Sequence, residues 1–406
     1  PPTTAPPGDP GRPATLASRR YRAIRTMYPR VLSPASLDFG TAGQGLELGV
    51  KTSVTDVLGF HALSGSFRDF IDYREPTGSV AYRFGRFLPA FELEFRRDFR
   101  VYDSTVRYSY DNIAADGSFE PYALRGYRER QTSVRAGIDV PVIRHAIHSA
   151  RASLDYVFTR FRDLDESRER IDPNAPTSTP PAIGNLARVD LVFAYSNLRG
   201  VLHGYLAETG RTASMRISVV DRHLGGEYGD LQFAATYTER LRMPWRGHQV
   251  LALALTGGAS AGGLGRLGAF RLGGMRDQPD VIQSFLRRDA YGELGLLRGF
   301  PRGALPGNYY AVLNAEYRTP LADLERGAGS IALYLRRLTL IPFMDVGSAW
   351  SGALARNMLR WSTGASLVFS FRIGYRETID LFVSYARGFK PGDDYNMFRA
   401  VVASSF

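Results

Sequence analysis

The sequence predicts an all-β chain: a 16-stranded antiparallel transmembrane β-barrel over residues 34–406, behind a partly disordered lead-in over 1–33 that is Pro-, Thr- and Ala-rich over 1–20. Three observations carry that expectation. Apolar and polar residues alternate with a period of two from the first candidate strand to the last residue. Most alternating runs reach the length needed to cross a bilayer. Short and long connections follow one another in turn, which is how a membrane barrel distributes them between its two rims.

The alternation comes first. In AFELEFRRDFRVY (90–102), Phe91, Leu93, Phe95 and Phe99 fall on one side, and Glu92, Glu94, Arg96, Asp98 and Arg100 on the other. RVDLVFAY (188–195), GDLQFAATY (229–237) and TIDLFVSY (378–385) behave the same way. A soluble sandwich buries its apolar face on strands of about five or six residues. A membrane barrel turns the pattern outward on strands of about 9–11 residues, with charges lining a wet lumen. Length decides for the barrel, because a stripe of alternating charge suits a lumen in which opposite charges are neighbours.

The candidate strands lie near 34–39, 44–54, 57–70, 76–87, 90–104, 128–141, 145–162, 187–198, 212–222, 229–242, 248–258, 308–319, 331–348, 359–371, 376–388 and 397–406. Their number is even, as in single-chain outer-membrane barrels. TDVL, FLP, PVIR, MPWRG and GYRE are short connections, whereas 105–127, 163–186 and 259–307 are long. This asymmetry puts the short turns and the N-terminus in the periplasm and the long loops outside the cell. The connection at 199–211 fits least well. Phe406 ends the chain inside the last strand, as a C-terminal strand signal for barrel insertion, although Ser404 stands where a second aromatic is common.

Composition narrows the function classes. No apolar run is long enough for a transmembrane helix, and cysteine is absent, which removes disulfides, thiolate nucleophiles and Cys-ligated zinc. The net charge of +11 rests almost wholly on arginine, since Lys51 and Lys390 are the only lysines. The arginines are interleaved with acids, as in EFRRDFR (94–100) and YRERQ (127–131), so local ion pairing accounts for them and no nucleic-acid partner is expected. His61, His145, His148, His203, His223 and His248 form no metal-binding spacing and read as turn or interface residues. GELGLLRG (292–299) follows no βαβ unit, so it is not a dinucleotide fingerprint. No catalytic residues, cofactor or metal are expected.

The stretch GLLRGFPRG (295–303) stands in a region without sustained alternation. Four motifs in order, FRLGG (270–274), LRGF (297–300), the Glu316 of NYYAVLNAEYRTPL (308–321) and the Asp345 of FMDVGSAW (343–350), resemble the BamA/TamA-type outer-membrane assembly factors, the bacterial surface antigen barrel family that also includes two-partner secretion transporters. FRLGG (270–274), with Gly273 and Gly274, resembles the opening of that family's sixth extracellular loop. Leu297-Arg298-Gly299-Phe300 resembles its apolar-Arg-Gly-aromatic motif. NYYAVLNAEYRTPL (308–321) supplies Glu316, and FMDVGSAW (343–350) supplies Phe343, Asp345 and Gly347. Residues 275–297 lengthen the loop beyond the family pattern. Parity alone puts Asn308, Tyr310, Val312, Asn314, Glu316 and Arg318 on one face, so Glu316 points inward.

The resemblance implies that the sixth loop folds into the lumen and that Arg298 meets inward-facing acids there. Arg302, past Pro301, is expected to face solvent. The resemblance further implies insertion or translocation of unfolded or secreted polypeptides through a seam between first and last strands. The expected surroundings are outer-membrane lipid and lipopolysaccharide, with a periplasmic domain or accessory proteins as further partners. A passive pore, a secretion channel and a membrane anchor for an N-terminal domain remain alternatives.

Overall fold

The structure, a computed structural model, describes residues 21–28, 33–40, 47–70, 74–102, 127–164, 184–200, 207–245, 247–261, 270–274, 293–294, 297–300, 304–327, 333–373, 377–389 and 394–405. Eleven strands open the barrel: β1 (Ser33–Gly40), β2 (Glu47–Thr55), β3 (His61–Phe70), β4 (Glu75–Phe84), β5 (Ala90–Tyr102), β6 (Tyr127–Arg144), β7 (Ser149–Asp163), β8 (Gly184–Ser196), β9 (Gly210–Val220), β10 (Asp230–Arg242) and β11 (Val250–Ser260). Three short strands follow inside the long connection: β12 (Phe270–Leu272), β13 (Glu293–Leu294) and β14 (Leu305–Gly307). The barrel resumes with β15 (Tyr309–Gly327), β16 (Leu333–Trp350), β17 (Arg360–Ile373), β18 (Glu377–Phe389) and β19 (Tyr395–Ser405). Sixteen strands pair antiparallel in one ring, with β11 beside β15 and β1 beside β19.

The burial pattern identifies a membrane barrel. Along β10, Asp230, Gln232, Thr236, Thr238 and Arg240 are buried, while Leu231, Phe233 and Tyr237 stand outward, 51%, 45% and 41% exposed. A water-soluble sheet would place these the other way round. The inward charges neutralise one another across strands. Arg135 lies 2.9 Å from Asp155 and 3.5 Å from Glu92, and Arg188 lies 3.1 Å from Asp190. Part of the interleaving read in the sequence is thus ion pairing around a polar lumen.

Strand limits differ from the sequence reading where turn-like residues continue a strand. Pro141 and Val142 stay within β6, because a bulge between Pro141 and Ile143 absorbs the proline without ending the ladder. The turn therefore falls at 145–148, closed by His145 N donating to His148 O at 2.9 Å. β3 starts at His61 rather than 57, since the Asp56 carboxylate accepts from His61 N at 2.7 Å and the chain turns at Gly59 with φ +70°. β15 runs to Gly327, eight residues past the expected end, with bulges after Pro320 and Asp323. At the 197–209 connection, Asn197 and Arg199 pair back onto the start of β9, and Glu208 is buried against His248 Nδ1 at 2.8 Å. His61 and His148 contact Tyr82 and Tyr195 hydroxyls at 2.7 Å near turns, while His203 lies outside the described residues.

β1 is weakly held. Among the described residues it meets β19 at four positions, Leu37–Gly40 against Arg399–Val402, and β2 at four more across a bulge beginning at Pro34. β18 and β19 by contrast share eleven paired positions. Tyr21, ahead of β1, donates its hydroxyl to Asp56 in the β2–β3 turn. Residues 1–20 and Phe406 lie outside the described residues.

Candidate functional site

The long connection between β11 and β15 builds its own small sheet. β12 pairs parallel with β13 and antiparallel with β14, so the two ends of the loop and part of its middle are fastened together. Phe270 and Leu272 of β12, with Leu297 and Phe300, pack against Ala254, Tyr310, Val312 and Ala349 of the inner wall. Phe270 meets the Tyr310 ring with centroids 4.6 Å apart, and Phe300 meets Tyr395 at 5.9 Å. An apolar cluster inside a polar lumen needs a second apolar surface to cover it, and the loop provides that surface.

This packing delivers Arg298 to two carboxylates. Its Nε donates to Asp345 Oδ2 at 2.8 Å and one terminal nitrogen to Asp345 Oδ1 at 2.6 Å. The other terminal nitrogen donates to Glu316 Oε1 at 2.9 Å, and the backbone N–H of Arg298 adds a bond to Asp345 Oδ2 at 3.1 Å. Asp345 is fully buried and also accepts from Asn314 Nδ2 at 2.8 Å. Glu316 accepts from Arg318 through its second oxygen at 2.9 Å. Two guanidiniums thus face two carboxylates, and the cluster is charge-balanced. Burial alone works against the charge on Arg298, but Asp345 and Glu316 more than offset this and raise its pKa. The planar head lies 3.6 Å from the centroid of the Phe343 ring, an arrangement that lysine does not reproduce.

Glycines permit the close approaches. Gly299 has φ +85°, and a Cβ there would meet Gly388 N of β18 at 2.7 Å. The converse holds at Gly388, where a Cβ would meet Gly299 O at 2.6 Å. Gly273 and Gly274 take φ +120° and +96°, and Gly274 N donates to Phe300 O at 2.8 Å, tying the Gly-Gly motif to the arginine motif. A Cβ at Gly347 would meet Ala311 O at 2.6 Å, where β15 and β16 run side by side.

The structure therefore gathers Arg298, Gly299, Glu316 and Asp345, with Leu297, Phe300, Gly273, Gly274, Phe343 and Gly347 around them. Arg302 lies outside the described residues, as does nearly all of 275–297. Sequence reasoning put Asn314 and Arg318 on the inward face without giving them a part in the cluster. It missed Gly388 altogether. A glycine inside the alternating YARGF of β18 was the available signal, since such a residue marks a close backbone approach.

No family model matches the chain, and no curated protein matches it. Solved structures do. The barrel superposes on BamA from Haemophilus ducreyi, in a form lacking POTRA domains 1–3, with TM-score 0.57 and 15% identity, covering 92% of this chain and 70% of that one. The fold is that of the BamA barrel. CdiB from Escherichia coli matches with TM-score 0.55 and 12% identity over 91% of this chain and 62% of that one. CdiB from Acinetobacter baumannii gives 0.51 and 12% over 94% and 66%. The BamA-like ring accounts for nearly all of this chain and only about two thirds of the CdiB chains.

Proposed function

We propose that this chain is the membrane barrel of a polypeptide insertion or translocation machine in an outer membrane. Its short turns and N-terminus face the periplasm, and its long loops face outward. Arg298, Glu316 and Asp345 form a lock that holds the sixth loop against the inner wall. Polypeptide enters or leaves through the seam between β1 and β19, aided by a periplasmic domain or accessory proteins.

The observation that carries this reading is the pairing imbalance at the seam. Among the described residues, four paired positions join β1 to β19, against eleven between β18 and β19. Each ladder hydrogen bond contributes about 0.5–1.5 kcal/mol net, so the seam is the cheapest place to part the ring. A passive pore has no use for a weak seam and is hindered by a loop locked within the lumen. An anchor needs neither feature.

A disulfide lock tests the choice. Cysteines replacing Phe39 and Ala400, which face each other across the seam, should crosslink on oxidation. Vesicles carrying the crosslinked barrel should lose the ability to insert or pass an unfolded barrel substrate and regain it on reduction. Full activity in a quantitatively crosslinked sample would rule out the seam as the route and favour the channel reading.

A further inference from the structure

The outer wall of β5, β6 and β7 changes character abruptly toward the long-loop rim. Three successive outward rungs are apolar: Phe91, Ile138 and Leu154; then Leu93, Ala136 and Tyr156; then Phe95, Val134 and Phe158. The next rung is Arg97, Thr132 and Arg160, and the one above it is Phe99, Arg130 and Arg162. Parity fixes the direction. Glu129 and Gln131 are buried on the lumen side of β6, as are Thr159 and Phe161 of β7, so Arg130, Arg160 and Arg162 stand on the opposite face.

Charge on these two rungs is not balanced. Glu75 accepts from Arg130 at 2.9 Å and lies 3.5 Å from Arg97. Glu227 is held by Asn185, which faces Arg160 across β7 and β8. No carboxylate among the described residues makes an ion pair with Arg160 or Arg162, and both are exposed. Arg162 and Arg130 sit directly opposite each other, and like charges so placed repel. Among the described residues, four guanidiniums stand against two carboxylates on this patch, which leaves it in excess of positive charge. It spans about 10 Å across three strands and about 7 Å along them.

We propose that this patch binds the phosphate of a lipid headgroup, specifically a phosphorylated glycolipid of the outer leaflet such as lipopolysaccharide. Guanidinium forks match phosphate oxygens in pairs. The basic rungs begin one step above three outward apolar rungs suited to acyl chains, the place along the wall where headgroup phosphates are expected. A zwitterionic headgroup brings its own cation into a site already in excess of positive charge, so a phosphomonoester fits better. The choice of leaflet rests on the orientation proposed above.

The test uses the full chain in detergent, with bound lipid read by native mass spectrometry. The probes are a diphosphorylated lipid A, the same glycolipid after phosphatase treatment, and phosphatidylethanolamine, with inorganic phosphate as a competitor. R160Q/R162Q should weaken lipid A binding by about tenfold or more, given about one arginine's worth of surface attraction per substitution. R160K/R162K should retain part of it. R86Q/R356Q removes the same charge from exposed turn positions away from the patch and should stay within about twofold of the parent. Equal losses in both Gln doubles, or no loss in R160Q/R162Q, overturns the site. Displacement by equimolar inorganic phosphate overturns the lipid, and preference for phosphatidylethanolamine overturns both headgroup and leaflet. None of these readings depends on whether the seam passes polypeptide.

Discussion

Arg298→Ala removes the guanidinium from between Asp345 and Glu316 while leaving both carboxylates in place. Glu316 keeps Arg318, and Asp345 keeps Asn314 and the backbone N–H of residue 298. Breaking a buried ion pair costs about 3–5 kcal/mol, and the remaining partners put this case near the lower end, about 3 kcal/mol. Lost Phe343 contact adds to the effect. At about 1.4 kcal/mol per tenfold, the undocked fraction of the sixth loop rises by roughly 150-fold. Limited proteolysis of the barrel in vesicles reads that fraction through cuts within 270–274 and 297–300, the stretches packed on the wall. Arg298→Lys restores one charge without the paired donors and should recover about half of the protection. Arg356→Ala, an exposed arginine on the same rim, serves as control. Cleavage of Arg298→Ala no faster than Arg356→Ala would refute the lock.

Three further outcomes are expected. Gly299→Ala and Gly388→Ala should each loosen the loop in the same proteolysis assay, because each new Cβ meets backbone atoms at 2.7 Å or less, and the double variant should cost less than the sum. Leu93→Arg, on the lipid-facing side of β5, should destabilise the barrel by about 2–4 kcal/mol in refolding into vesicles if Leu93 lies near the bilayer midplane. Cysteines at Leu37 and Val402 should crosslink more readily than at Leu37 and Ser404, and the reverse preference would show that the seam pairs in another register.

Strand existence and order were legible because a membrane barrel repeats one physical rule in every strand: apolar out, polar in. β10 shows it at full strength, and so it was read nearly residue for residue. The rule says nothing about β12, β13 and β14, which at two or three residues are too short to display a period. It also misleads at Pro141, where a bulge lets the strand continue through a residue that usually ends one. Within the site, parity placed Glu316 inward, and the resemblance at Leu297–Phe300 named its partner. The contact between Gly299 and Gly388 joins positions far apart in sequence, and neither local pattern nor motif encodes such a meeting.

The sixth loop touches more of the barrel than its arginine suggests. Arg298 grips β15 and β16, Gly299 abuts β18, Phe300 reaches Tyr395 on β19, and Gly307 of β14 packs against Trp350 of β16. The loop is therefore a strut across the five C-terminal strands of the ring, touching four of them and stiffening them into one panel that ends at the seam. Among the described residues, β1 is held by four pairs on either side. A doorway with one rigid jamb and one loose one opens on the loose side. If the seam is the route proposed above, β1 is the side that swings, and the backbone of Arg399–Val402 is the rail left for an arriving strand's first hydrogen bonds.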